Sequence, residues 1–222
     1  MHDWFCSMKD GDFIMQGKTV YLLFTDTGSL LTKMIKLYTK QPLNHVSISF
    51  DRDLNEVYSF GRKRQWNPLI GGFVREDVRK GIFKGVDCAI YSCEVTEEEF
   101  SRMQEMVACL NKYKDYYRYN FIGLFAVALN IQLKRKNAYF CSQFVADVLQ
   151  LMRQNPITKP SNLVRPQDIM EIPSLTLIYK GKLSTYVSQE QQIETNKIKP
   201  IAGFIMRRSI GTASAFFSFL KL

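Results

Sequence analysis

The chain has 222 residues, 46% apolar and 23% charged, with a net charge of +9. That is the mix of an ordinary globular protein, long enough for a sizeable core in one large domain or one domain with additions. The positive balance suits an acidic partner, but the basic residues are dispersed and no RRM-type, zinc-finger or basic-zipper pattern occurs, so nucleic acid is not expected.

Residues 1–12 read as an N-terminal extension. They lack the basic start and apolar stretch of a secretory signal, and no apolar run in the chain reaches the length of a membrane span. Phe13–Gly17 and Thr19–Phe24 read as strands. Thr25-Asp-Thr-Gly-Ser29 is a turn and cap cluster, followed by Leu30, Leu31, Met34, Ile35 and Leu37 at helical spacing; Pro42 stops that helix. In Leu43–Phe50, Val46, Ile48 and Phe50 alternate with His45, Ser47 and Ser49, the signature of a strand with two distinct faces. Asp51–Asn55 turns the chain, and Glu56–Phe60 returns as a hairpin partner. Residues 61–85, rich in Gly, Arg and aromatics, read as a long surface excursion with short strands lining a cleft.

Asp87–Val95 is a further strand. Thr96-Glu-Glu-Glu99 is a capping box that opens a helix carrying Phe100, Met103, Met106, Val107 and Leu110. Phe121–Ile131 is apolar and reads as a buried helix, and Lys134-Arg-Lys136 as a basic turn. From Cys141 the apolar residues Phe144, Val145, Val148, Leu149 and Met152 follow a 3.6-residue period, one face of an amphipathic helix. Four prolines punctuate the return to a strand at Leu175–Tyr179. The domain spans 13–187, and residues 188–222 read as a polar linker and an apolar, basic tail. That tail either packs on the domain or makes peripheral contact with a membrane.

Five cysteines, an odd number without CxxC spacing, argue against a disulfide framework or a zinc site and suit the reducing cytoplasm, with membrane association open through the tail. No metal or cofactor is implied. Cys141 is either a small buried hydrophobe or a nucleophile. Its place at the start of a helix favours thiolate, because free backbone N–H groups and the positive end of the helix dipole lie beside it. Of the two histidines, His2 lies in a terminus, which leaves His45 as the imidazole able to act as base.

Three stretches together resemble the circularly permuted NlpC/P60 papain-like family, which includes YiiX/YaeF-type hydrolases and relatives of lecithin–retinol acyltransferase. The first runs from Thr25-Asp-Thr-Gly-Ser29 through a helix to Pro42-Leu-Asn-His-Val-Ser-Ile48. The second is Tyr139-Phe-Cys-Ser-Gln-Phe-Val-Ala146, and the third is Arg165-Pro-Gln-Asp-Ile169 with Leu175–Tyr179. The resemblance covers roughly residues 10–183 and has the permuted order, histidine before cysteine.

It implies an α+β fold, a small antiparallel sheet or half-barrel packed against the nucleophile helix. It also implies acyl transfer, with Cys141 attacking an amide or ester carbonyl and His45 moving the proton. The implied substrate is acylated or peptide-like, and the basic surface would suit an anionic one. A third group should come from the strand after His45. Glu56, Tyr58 and Ser59 are the candidates there, and Ser59 is chosen because a hydroxyl can accept from a ring N–H. Tyr117 and Tyr119 are candidates for an oxyanion donor or for packing. The alternative function is a non-catalytic module holding a ligand or lipid on the same fold.

Overall fold

The computed structural model describes residues 17–26, 42–64 and 67–190. The expected strand at 13–16, the helix at 30–38 and the tail from 191 onward lie outside the described residues.

A six-stranded antiparallel sheet organises the molecule. Its strands are β1 (Lys18–Thr25), β2 (His45–Ser49), β3 (Val57–Arg64), β4 (Asn67–Glu76), β5 (Asp87–Val95) and β8 (Leu175–Lys182), in the order β4-β3-β2-β1-β5-β8. Two short strands, β6 (Arg118–Tyr119) and β7 (Ala138–Tyr139), pair in parallel as a separate ribbon. The helices are α1 (Glu97–Lys112), α2 (Phe121–Ala128), α3 (Cys141–Leu149), α4 (Pro166–Met170) and α5, residues 183–190.

Both faces of the sheet are covered, which explains why central strand β1 reads as the unbroken run Val20-Tyr-Leu-Leu-Phe24. Leu22 and Phe24 belong to one core with Val46, Ile48, Phe60 and Phe73, closed by Met103 and Val107 of α1 and by Phe144, Val148 and Leu149 of α3. Leu23 faces the other way and joins Val57 and Ile90 under Leu183, Tyr186 and Val187 of α5. Residues 188–190 continue α5, and the Glu190 carboxylate accepts from Arg52 Nε at 3.2 Å.

Local signals explain the helix starts. Thr96 Oγ1 accepts from Glu99 N and Glu99 returns a bond to Thr96 N, the expected capping box. Pro166 opens α4, where its missing N–H costs nothing.

Two expectations are corrected. The stretch 61–85 is not mainly excursion: β3 continues to Arg64 and β4 supplies a ten-residue strand that pairs with it. The glycines at 71 and 72 interrupt the alternation that would have revealed this strand. The apolar helix after Asn120 ends at Ala128 and is only partly buried: Ala126 is covered, whereas Ile122, and Leu129 and Ile131 just beyond the helix, are exposed.

Candidate functional site

β2 begins at His45, and all five of its residues are buried. It pairs with β1 from Tyr21–Ser49 to Thr25–His45. Its register with β3 runs through Ile48–Tyr58 and Ser49–Val57, at the far end of the strand from His45. Helix α3 packs on β2 and β3 and brings its first residue, Cys141, to the His45 end of β2. Phe140 is the residue before the helix and offers no side-chain cap. Asn137, in the left-handed region at φ 53°, turns the chain into β7 and the helix.

The His45 ring is held from both sides. Nε2 lies 2.7 Å from Glu76 Oε1, and the Cys141 thiol is hydrogen-bonded to the ring. With Nε2 engaged by the carboxylate, Nδ1 is the nitrogen left for sulfur. Glu76, the last residue of β4, is itself saturated. Ser47 Oγ donates to its Oε2 at 2.5 Å, and Ser59 Oγ donates to its Oε1 at 2.6 Å. A buried carboxylate is tolerated only when its oxygens are so occupied.

The electrostatics follow from this chain. Burial disfavours the His45 imidazolium, but the Glu76 charge and the bonds to Cys141 and Glu76 outweigh it and raise the ring to about 10. Burial also penalises a Cys141 thiolate. The hydrogen bond and charge of His45, with backbone bonds from Val46 and Ser142, override that penalty and hold the thiol below its ordinary value. Glu76 is likewise held below the ordinary carboxylate value: burial opposes this, and the His45 charge, with bonds from His45, Ser47 and Ser59, prevails.

Tyr119 completes the site. Burial, the adjacent Cys141 charge and a hydrogen bond to the sulfur push its phenol well above the ordinary value, so the hydroxyl is a proton donor beside the thiol. Its approach depends on two glycines. A Cβ at Gly71 would meet Tyr119 Cβ at 2.6 Å, and one at Gly72 would meet the Tyr117 carbonyl oxygen at 2.6 Å. Gly71 and Gly72 thus let the β6 segment lie directly on β4. Around them, Phe60 contacts the rings of Phe73, Tyr117, Tyr139 and Phe144, tying β3, β4, the ribbon and α3 together.

The structure brings together Cys141 and His45. Ser59 reaches the same cluster, but its hydroxyl serves Glu76 rather than the ring. Tyr58 is buried against Phe73, and Glu56 pairs with Arg75 at 3.4 Å on the surface. The group on the ring is Glu76, which the sequence reading missed. The available signal was indirect: Ser47 and Ser59 are two buried hydroxyls on neighbouring strands, and such donors need an acceptor.

Comparison with protein-family models, with curated proteins and with solved structures found no match.

Proposed function

We propose that the protein is a cysteine-dependent hydrolase or acyltransferase with a circularly permuted papain-like fold of the NlpC/P60 type. The observation that carries the reading is the continuous chain Cys141–His45–Glu76, with a depressed thiol and a ring fixed by a carboxylate. The permuted order, the antiparallel sheet and the nucleophile helix packed on the histidine strand support the fold assignment.

In this mechanism the Cys141 thiolate attacks an amide or ester carbonyl carbon, and the carbonyl π pair moves to oxygen. The Tyr119 hydroxyl and the backbone N–H groups at the start of α3 are the donors nearest that oxyanion. The oxyanion collapses, the C–N or C–O bond breaks, and His45 gives its proton to the leaving group. Water or another acceptor then loses a proton to His45 and attacks the thioester, which frees Cys141. Glu76 keeps the ring oriented and stabilises it while charged. Free thiols at Cys88, Cys93, Cys109 and Cys141 fit a reducing compartment such as the cytoplasm. Among the described residues no helix is long and apolar enough to cross a membrane.

A burst experiment tests the chemistry. Incubated with a p-nitrophenyl acyl ester, the wild type is expected to release nitrophenol and gain the acyl mass on the Cys141 peptide, and Cys141→Ala to do neither. Equal nitrophenol release by the variant, or acylation elsewhere only, would contradict the reading. One observation favours the second reading, a ligand-holding module: Cys141 is only 3% exposed. Saturable binding of an acyl compound without any acyl-enzyme would support it.

A further inference from the structure

The segment between the two ends of the β6–β7 ribbon has an unusual surface. Arg118 pairs with Ala138 and Tyr119 with Tyr139, so the intervening chain leaves and rejoins the molecule beside Cys141. Within it, Ile122, Leu129 and Ile131 are 58%, 64% and 53% exposed. Ile122 lies in the first turn of α2, and Leu129 and Ile131 follow directly on its last residue, Ala128. The segment then runs into Lys134, Arg135 and Lys136, all exposed. No acidic residue occurs from 116 to 146.

Both ends of the helix in this protrusion are closed by hydrogen bonds. Asn120 caps the start of α2, its Oδ1 accepting from Gly123 N at 2.9 Å. A Cβ at Gly123 would collide with the Asn120 side-chain amide, so this cap favours glycine there. At the other end Asn130 is left-handed at φ 56°, with Asn130 N bonded to Val127 O and Ile131 N to Ala126 O. That is a Schellman closure. A helix with both ends capped can enter a medium of low polarity without exposing backbone groups that need water.

We infer that the 121–136 segment is a docking surface for an anionic lipid bilayer. Ile122, Leu129 and Ile131 enter the headgroup–acyl boundary, and Lys134, Arg135 and Lys136 engage the negative headgroups. Charge complementarity selects this occupant: exposed apolar side chains running into three exposed cations, with no acidic residue from 116 to 146, suit an anionic interface. A second copy of the chain would instead bring three like charges against their equivalents. Docked this way, the bilayer lies against the segment whose two ends flank the Cys141 thiol. The docking does not depend on the chemistry proposed for that thiol.

The test is co-sedimentation of the full chain with vesicles of phosphatidylcholine alone or containing phosphatidylserine, with circular dichroism as a check on folding. Wild type and Cys141→Ala are expected to bind the anionic vesicles equally, and both to bind the neutral ones more weakly. Changing Lys134, Arg135 and Lys136 together to Ala should weaken anionic binding by about two orders of magnitude. Changing Ile122, Leu129 and Ile131 together to Asp should abolish it. The inference is overturned if the wild type binds neither vesicle, or if both folded triple variants bind as the wild type does. It is also overturned if the apolar substitutions only convert a dimer to a monomer.

Discussion

At the scale of single residues, a carboxylate buried in a sheet survives only if its immediate neighbours hold its charge, and Glu76 is held by His45, Ser47 and Ser59. The arrangement is reciprocal, since the same charge favours the protonated His45 ring and the protonated ring lowers the Cys141 thiol. Glu76→Gln retains the shape and removes the charge. It should cost about 3 kcal/mol, because it breaks a buried ion pair from one side. A carboxylate with a depressed folded-state value adds stability above its unfolded value of 4.5, and that stability is lost as pH falls through the depressed value. Urea denaturation across pH should therefore show a wild-type advantage over Glu76→Gln that is full between 4.5 and 6.5, shrinks below 4.5 as Glu76 takes up a proton, and shrinks above 6.5 as pH approaches the raised His45 value of about 10. An advantage independent of pH would mean that Glu76 is not ionised in the folded protein.

At the scale of elements, close approach between β4 and β6 positions Tyr119. Gly71→Ala introduces a methyl group where Tyr119 Cβ already sits 2.6 Å away, and one of the two strands must move. The expected loss is about 2 kcal/mol, as for an overpacked core position, measured by thermal unfolding. If Tyr119 supports the oxyanion, the variant should also form its acyl-enzyme more slowly than the wild type at a temperature where both are folded.

The same elements separate what the sequence revealed from what it hid. Strand β5, the capped start of α1 and the Cys141 helix were readable because periodicity and capping chemistry are local signals. The alternation of Val46 and Ile48 against His45 and Ser47 likewise revealed β2. β4 was not readable, because Gly71-Gly72 have no side chains to carry the alternation, and the reason for those glycines is a strand more than forty residues later. The choice of Ser59 from Glu56, Tyr58 and Ser59, with Glu76 not among the candidates, has the same origin: register across β2, β3 and β4 decides which polar group meets the ring, and register is a non-local property. Exposure of Ile122, Leu129 and Ile131 was hidden too, since hydrophobicity alone does not distinguish a buried helix from one presented to a partner.

At the scale of the whole molecule, the sheet, α3 and the β6–β7 ribbon converge on one end of β2, where a thiol, an imidazole, a carboxylate and a phenol meet. The central claim is that Cys141 and His45 form an ion pair. The direct measurement is the pH dependence of Cys141 alkylation by iodoacetamide, read by mass spectrometry of the Cys141 peptide, in wild type and His45→Ala. A thiol depressed by a protonated imidazole should react well below the ordinary thiol value of 9, and the variant should need alkaline pH to react at the same rate. Identical profiles rising near that ordinary value in both proteins would contradict the pair and, with it, the proposed chemistry.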